Sequence, residues 1–193
     1  MFDHVTIRVS DRESSEAFYE TVLRTLGVER TYTGEDLVEW QDFSIAPADG
    51  RHPVTRNLHA GFVAPSREHA DAFWRAGLGA GARDDGAPNP RPEYGEDYYG
   101  AFLLDPDGNS AEAVHHSRLR RGGNDDHLWI RVADVAAAKA FYAIVDAFHR
   151  TAVEAGYRDN GAPGERPEYH PGYYGAFVLD PDGNNVEVVS HNR

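Results

Sequence analysis

The chain contains no cysteine. This excludes a disulfide framework and thiolate metal ligands, so any ion the protein holds must be bound by His, Asp and Glu. Basic residues are scarce as well: 19 Lys and Arg face 32 Asp and Glu, a net charge of −13 with histidine neutral. Such a field repels nucleic acid and anionic lipid, and neither is expected as a partner. Long hydrophobic runs are also missing. No stretch approaches the ~20 apolar residues of a membrane span, and residues 1–5 lack the basic-then-apolar pattern of a leader, so the expected location is cytoplasmic.

What the chain does have is repetition. Residues 98–114, YYGAFLLDPDGNSAEAV, return as residues 173–189, YYGAFVLDPDGNNVEVV. Each copy reads as a β-hairpin: an aromatic and aliphatic run, an Asp-Pro-Asp-Gly turn, then a second strand. On that second strand Glu112 and Glu187 stand where a half-buried strand should carry a hydrophobe. Burying a lone carboxylate costs several kcal/mol unless a cation or a donor meets it.

Residues 4–9 alternate, with Val5, Ile7 and Val9 on one face and His4, Thr6 and Arg8 on the other. Asp11 caps a helix whose stripe of Ala17, Phe18, Val22 and Leu26 runs to a stop at Gly27, and three short strands follow to residue 46. The unit is β-α-β-β-β. It restarts at Asn57, where Leu58, Ala60 and Phe62 alternate with His59, Gly61 and Val63, and a second helix runs from Ser66 to about Gly79. The stretch from Gly86 to Tyr94 is rich enough in proline to be expected as a loop rather than a strand. Residues 126–145 repeat residues 3–22 at an offset of 123, and residues 146–189 repeat residues 71–114 at an offset of 75. The third unit therefore joins the opening strand of the first to the hairpin of the second. Its fused helix is expected over residues 135–155.

The expected organisation is α+β: repeated βαβββ modules at 1–50 and 57–116 paired into one domain (1–116), a linker at 117–125, and a third module at 126–193. His4, His59 and His127 open the three units in the same phase, opposite the residues that pack on the helices. Three histidines in register, with glutamates at matching places on closing strands, point to a divalent ion such as Fe, Zn, Mn, Ni or Co. A set of two histidines and one carboxylate leaves coordination positions open for substrate.

The chain resembles the vicinal oxygen chelate superfamily, which includes glyoxalase I, extradiol dioxygenases and the bleomycin-binding proteins. The residues that carry this are Asp3-His4-Val-Thr-Ile-Arg-Val-Ser-Asp opening module one, Leu58-His59 opening module two, and the segment from Asp105 to Glu112 closing it. The resemblance implies two modules paired into a cupped, incomplete barrel around a metal site, with His4, His59 and Glu112 on the family's first, third and fourth ligand positions. The second position falls at residues 44–46, where no good ligand stands; this departs from glyoxalase I and leaves the three-ligand pattern of the extradiol enzymes.

The resemblance implies a metal-dependent lyase, isomerase or extradiol-type dioxygenase acting on a small substrate that chelates the ion through vicinal oxygens. The alternatives are a metal-free sequestration protein of the bleomycin-resistance type and a noncatalytic remnant. Thr6, Arg8, Tyr94, Tyr98 and Tyr99 are candidate pocket residues. The third module lacks a partner module, so a homodimer through it is one expectation, with His127 and Glu187 forming a second metal site shared between chains. The competing expectation is that this module packs on its own chain and extends the first domain's sheet.

Overall fold

A computed structural model describes residues 4–117, 124–131, 133–135, 148–165 and 173–191. The protein is a mixed α+β chain, with three helices and three sheets among the described residues. It divides into two compact units, residues 1–131 and 132–193. No helix among the described residues is long and apolar enough to cross a membrane.

The first unit opens with β1 (Val5–Val9), α1 (Arg12–Arg24), β2 (Tyr32–Thr33), β3 (Val38–Trp40) and β4 (Phe43–Pro47). Ile7 and Val9 are buried as the alternation requires. The Asp11 side chain accepts the Ser14 backbone N–H at 3.1 Å, satisfying one of the donors a helix start leaves unpaired. The chain leaves the helix through Gly27 at φ +78°, a conformation glycine adopts without a Cβ penalty. These strands form a four-stranded sheet ordered β1-β4-β3-β2. The module then repeats as β5 (Leu58–Val63), α2 (Arg67–Gly79), β6 (Arg83–Pro90), β7 (Tyr99–Leu104) and β8 (Ser110–His115).

The two modules share one core. Tyr19 on α1 is 1 % exposed and touches the rings of Phe18, Trp40 and Phe43, as well as Phe62 from β5. Its hydroxyl donates to Asp105 Oδ2 at 2.9 Å. Asp105 opens the repeated turn, where it also accepts the Asn109 backbone N–H and side-chain amide. Asn109 in turn accepts the Leu58 N–H and donates to the Thr55 carbonyl. The Asp-Pro-Asp-Gly-Asn sequence is therefore a joint that fastens module two to α1 and to the link between modules. Its recurrence reflects structure rather than chemistry.

Residues 86–90, the first part of the stretch expected as a loop, belong to strand β6 (Arg83–Pro90), and residues 91–94 lie outside it. β6 is an outer strand of its sheet, with register shifts at Asp84/Gly86 and Gly86/Asn89. A missing N–H is tolerated at an edge or a bulge. The second difference is larger: β9 (Asp125–Ile130), the opening strand of the third repeat, pairs antiparallel with β5 and completes a five-stranded sheet ordered β6-β7-β8-β5-β9. Both its ends are tied. The Val63 N–H donates to the Asn124 carbonyl and the Arg131 N–H to the Asn57 carbonyl, while the Asn124 N–H reaches the Asp42 carboxylate at 2.9 Å. The two compact units divide after β9, at residue 131.

The second unit contains α3 (Phe148–Glu154), β10 (Arg158–Glu165), β11 (Tyr173–Leu179) and β12 (Asn185–His191), the strands forming a three-stranded antiparallel sheet in that order. Ala152 and Val178 form its buried centre, with Phe148, Tyr157 and Val186 against them. Asp180 accepts the Asn184 N–H and amide as Asp105 does in module two. Of the helix expected over 135–155, residues 136–147 lie outside the described residues.

Candidate metal centre

Period-two alternation fixes the face on which the chemistry sits. On β5, Leu58, Ala60 and Phe62 enter the core, which turns His59 and Gly61 to the opposite face. On β8, Ala111 and Ala113 do the same, leaving Glu112 on that opposite face. The parallel pairing of β5 with β8 sets His59 opposite Ser110 and Gly61 opposite Glu112, so His59 and Glu112 are diagonal neighbours. Antiparallel β9 places His127 opposite Gly61. Three side chains from three adjacent strands thus meet over Gly61.

His59 Nε2 lies 2.9 Å from Glu112 Oε2 and 3.1 Å from His127 Nε2, and His127 Nε2 lies 3.3 Å from Glu112 Oε2. These residues are the group of His, Asp and Glu among the described residues whose donor atoms converge as metal ligands do. Glycine makes the convergence physically possible. A Cβ at Gly61 would run into the His127 ring, and one at Gly100, on β7, would run into Glu112 Oε1.

Around the triad a second set of side chains fixes orientation. The Tyr98 hydroxyl donates to Glu112 Oε1 at 2.8 Å. His127 Nδ1 is 2.8 Å from Asp126 Oδ2, which also lies 3.3 Å from His116 Nε2. The His116 ring stacks on Tyr98 with centroids 5.4 Å apart. Asp126 reaches its neighbour's imidazole because of a bulge. Gly61 stands opposite His127 and Phe62 opposite Asp125, so Asp126 is the additional residue of β9, and bulges re-aim side chains in this way. Trp129 and Phe102 flank His59 at 4.8 Å and 6.0 Å between ring centroids.

The Glu112 side chain is 1 % exposed. Burial pushes its pKa up, but hydrogen bonds from His127, His59 and Tyr98 outweigh this and hold it below the usual carboxylate range. For His127, burial disfavours the imidazolium, yet the contacts to Asp126 and Glu112 win and raise it to about 9. Burial and the adjacent Glu112 carboxylate push the Tyr98 phenol well up, so it stays protonated as a donor.

Of the three residues expected together as ligands, the structure brings His59 and Glu112 together, and His127 rather than His4 stands beside them. His4 is exposed at the head of β1 and is not in the group. The physical reason is that β9, not β1, lies hydrogen-bonded along β5. Glu187 stands on β12 opposite Phe177, in the second unit. Thr6 bonds Ser44 at 2.8 Å, and Arg8 donates to the Pro47 carbonyl at 3.1 Å. Tyr99 turns to the helix side, where its hydroxyl reaches Asp71 at 2.7 Å, while the exposed Tyr94 packs edge-on against Tyr98. Sequence reasoning did not single out Asp126 or His116, whose side chain is 14 % exposed. It also passed over Gly61 and Gly100, although an isolated glycine inside a strand signals close approach.

The donor set fits a divalent ion. With bonds of ~2.0–2.2 Å, ligand atoms on neighbouring vertices of a tetrahedron or octahedron lie about 2.8–3.6 Å apart, and all three separations in the triad fall in that range. Two imidazoles and a carboxylate suit Fe, Zn, Mn, Ni or Co.

A family model described as the Glyoxalase/Bleomycin resistance protein/Dioxygenase superfamily matches residues 1–113. Among solved structures, a glyoxalase/bleomycin resistance protein from Albidiferax ferrireducens T118 is 33 % identical with a TM-score of 0.53, over 60 % of this chain and 98 % of that one. A glyoxalase I mutant from Zea mays aligns over 98 % of this chain and 92 % of its own at 14 % identity, with a TM-score of 0.56. At that identity the likeness is one of fold. A search of curated proteins returned no match.

Proposed function

Because the chain belongs to the Glyoxalase/Bleomycin resistance protein/Dioxygenase superfamily, we propose that it is a metal-dependent enzyme acting on a small substrate that presents two vicinal oxygens. The observation that carries this reading is the triangle of His59 Nε2, Glu112 Oε2 and His127 Nε2, with edges of 2.9, 3.1 and 3.3 Å. A divalent ion held there would supply Lewis acidity toward those oxygens in a lyase or isomerase reaction, or oxygen activation if ferrous in a dioxygenase.

The chain's own residues do the rest. His59, His127 and Glu112 would hold the ion from one side only, the face set by strand alternation, and so would leave the opposite side to substrate. With one carboxylate in direct contact, a doubly charged ion would still favour an oxygen partner, although Asp126 behind His127 balances part of its charge. Trp129 and Phe102 set aromatic rings beside His59 on one flank.

The test is the metal dependence of ligand binding. Protein stripped with a chelating resin is titrated with tropolone, a bidentate oxygen ligand, before and after one equivalent of Co(II), Zn(II) or Fe(II) is restored. Binding that appears only with metal supports the proposal. Equal binding by the stripped protein contradicts it and favours the metal-free sequestration reading.

A further inference from the structure

The two oxygens of Glu112 have different surroundings. Oε2 faces His59 and His127, while Oε1 takes the Tyr98 hydroxyl at 2.8 Å. Oε1 also lies against Gly100, so closely that a Cβ there would collide with it. The strand register is responsible, since Phe102 stands opposite Glu112 and Gly100 is two residues along on the same face. Tyr98 is itself held, its ring stacked on His116 at 5.4 Å with an interplanar angle of 20°. His116 in turn contacts Asp126, whose carboxylate meets His127 Nδ1. A closed chain of side chains thus runs from one ligand to the other without using an atom that faces the centre.

We propose that Tyr98 is a positioning residue that confines Glu112 to single-oxygen ligation and so keeps a coordination position free for a bidentate substrate. A carboxylate can bind an ion through one oxygen or two, and the second oxygen would occupy a position that a substrate with vicinal oxygens needs. Tyr98 prevents this by saturating Oε1 with a strong donor, and Gly100 by giving that oxygen space to turn away. The assignment rests on the metal reading of the triad and deepens it.

The experiment uses the full-length protein loaded with Co(II) and compares wild type with Tyr98→Phe, which keeps the ring and its stack on His116. Visible absorption reports coordination number, because the d–d bands of Co(II) weaken as it rises. Tropolone measures access to two positions, and azide measures access to one. For Tyr98→Phe the expected result is retained Co(II), d–d bands weakened by about half, and tropolone affinity down about 10-fold while azide affinity changes less than about 2-fold. Gly100→Ala, which presses on Oε1 from the other side, should also depress tropolone more than azide. Spectra and tropolone affinity unchanged in Tyr98→Phe would overturn the assignment, as would equal losses for tropolone and azide or outright loss of Co(II) from a folded variant. Should wild type itself take up no Co(II), the metal reading fails first, and this is distinct from a normal wild type with an unaffected variant.

Discussion

Glu112 is a buried carboxylate met by three side chains. It is 1 % exposed, it accepts from two histidines and a tyrosine, and its pKa is held down despite burial. Glu112→Gln preserves the shape and removes the charge, so metal affinity should fall by at least about 100-fold with the far-UV circular dichroism unchanged. Competition with a fluorescent chelator measures it, and an affinity within a few-fold of wild type would remove Glu112 from the ligand set. Asp105 is a contrasting carboxylate, whose pKa burial pushes up and whose partners are structural. Tyr19→Phe strips one donor from it and should cost about 1–3 kcal/mol, read as a lower urea midpoint with metal binding intact. At this scale the sequence was informative where a residue's place in its strand stood out: His59 alternates with Leu58 and Ala60, and Glu112 breaks the apolar pattern of its strand. It was silent on Asp126, because only a bulge lets that carboxylate reach His127.

The strands explain why the third member of the cluster was not legible. Asp3-His4 and Asp126-His127 open the same repeated sequence, so no local property separates them. What separates them is that β9 runs along β5 and is fastened through Asn124 and Arg131, which is long-range pairing that no local pattern encodes. Within the third repeat, β9 is the strand that extends the sheet of the first unit. Residues 83–90 show the same limit, since their prolines argue against a central strand but are compatible with a bulged edge. Gly61 gives the element a direct test. Gly61→Ala places a methyl where the His127 ring lies, so metal affinity should fall about 10–100-fold, the size of effect typical when a ligand loses its support. The β5–β9 pairing should survive, with backbone amide protection of residues 125–130 retained. Unchanged affinity would mean that the imidazole does not depend on the space over Gly61.

For the whole molecule, the account makes one chain sufficient for one centre, because His59, Glu112 and His127 all belong to the first unit. A centre shared between two chains through His127 and Glu187 would instead require His127 to leave the group in which it stands. The repeat pattern and the superfamily were readable from the hairpin and from the opening strands. How the odd number of repeats would be used was not, since the same sequence is compatible with a third repeat that serves a second chain. The most direct measurement is the metal content of full-length, untagged protein, purified in Zn(II) or Co(II) and gel-filtered, determined by elemental analysis alongside light scattering for wild type, His127→Ala and His4→Ala. The account predicts about one ion per chain in wild type and in His4→Ala, whatever the oligomeric state, and loss of the ion in His127→Ala. Metal retained by His127→Ala and lost from His4→Ala would contradict it, as would about half an ion per chain in a dimer.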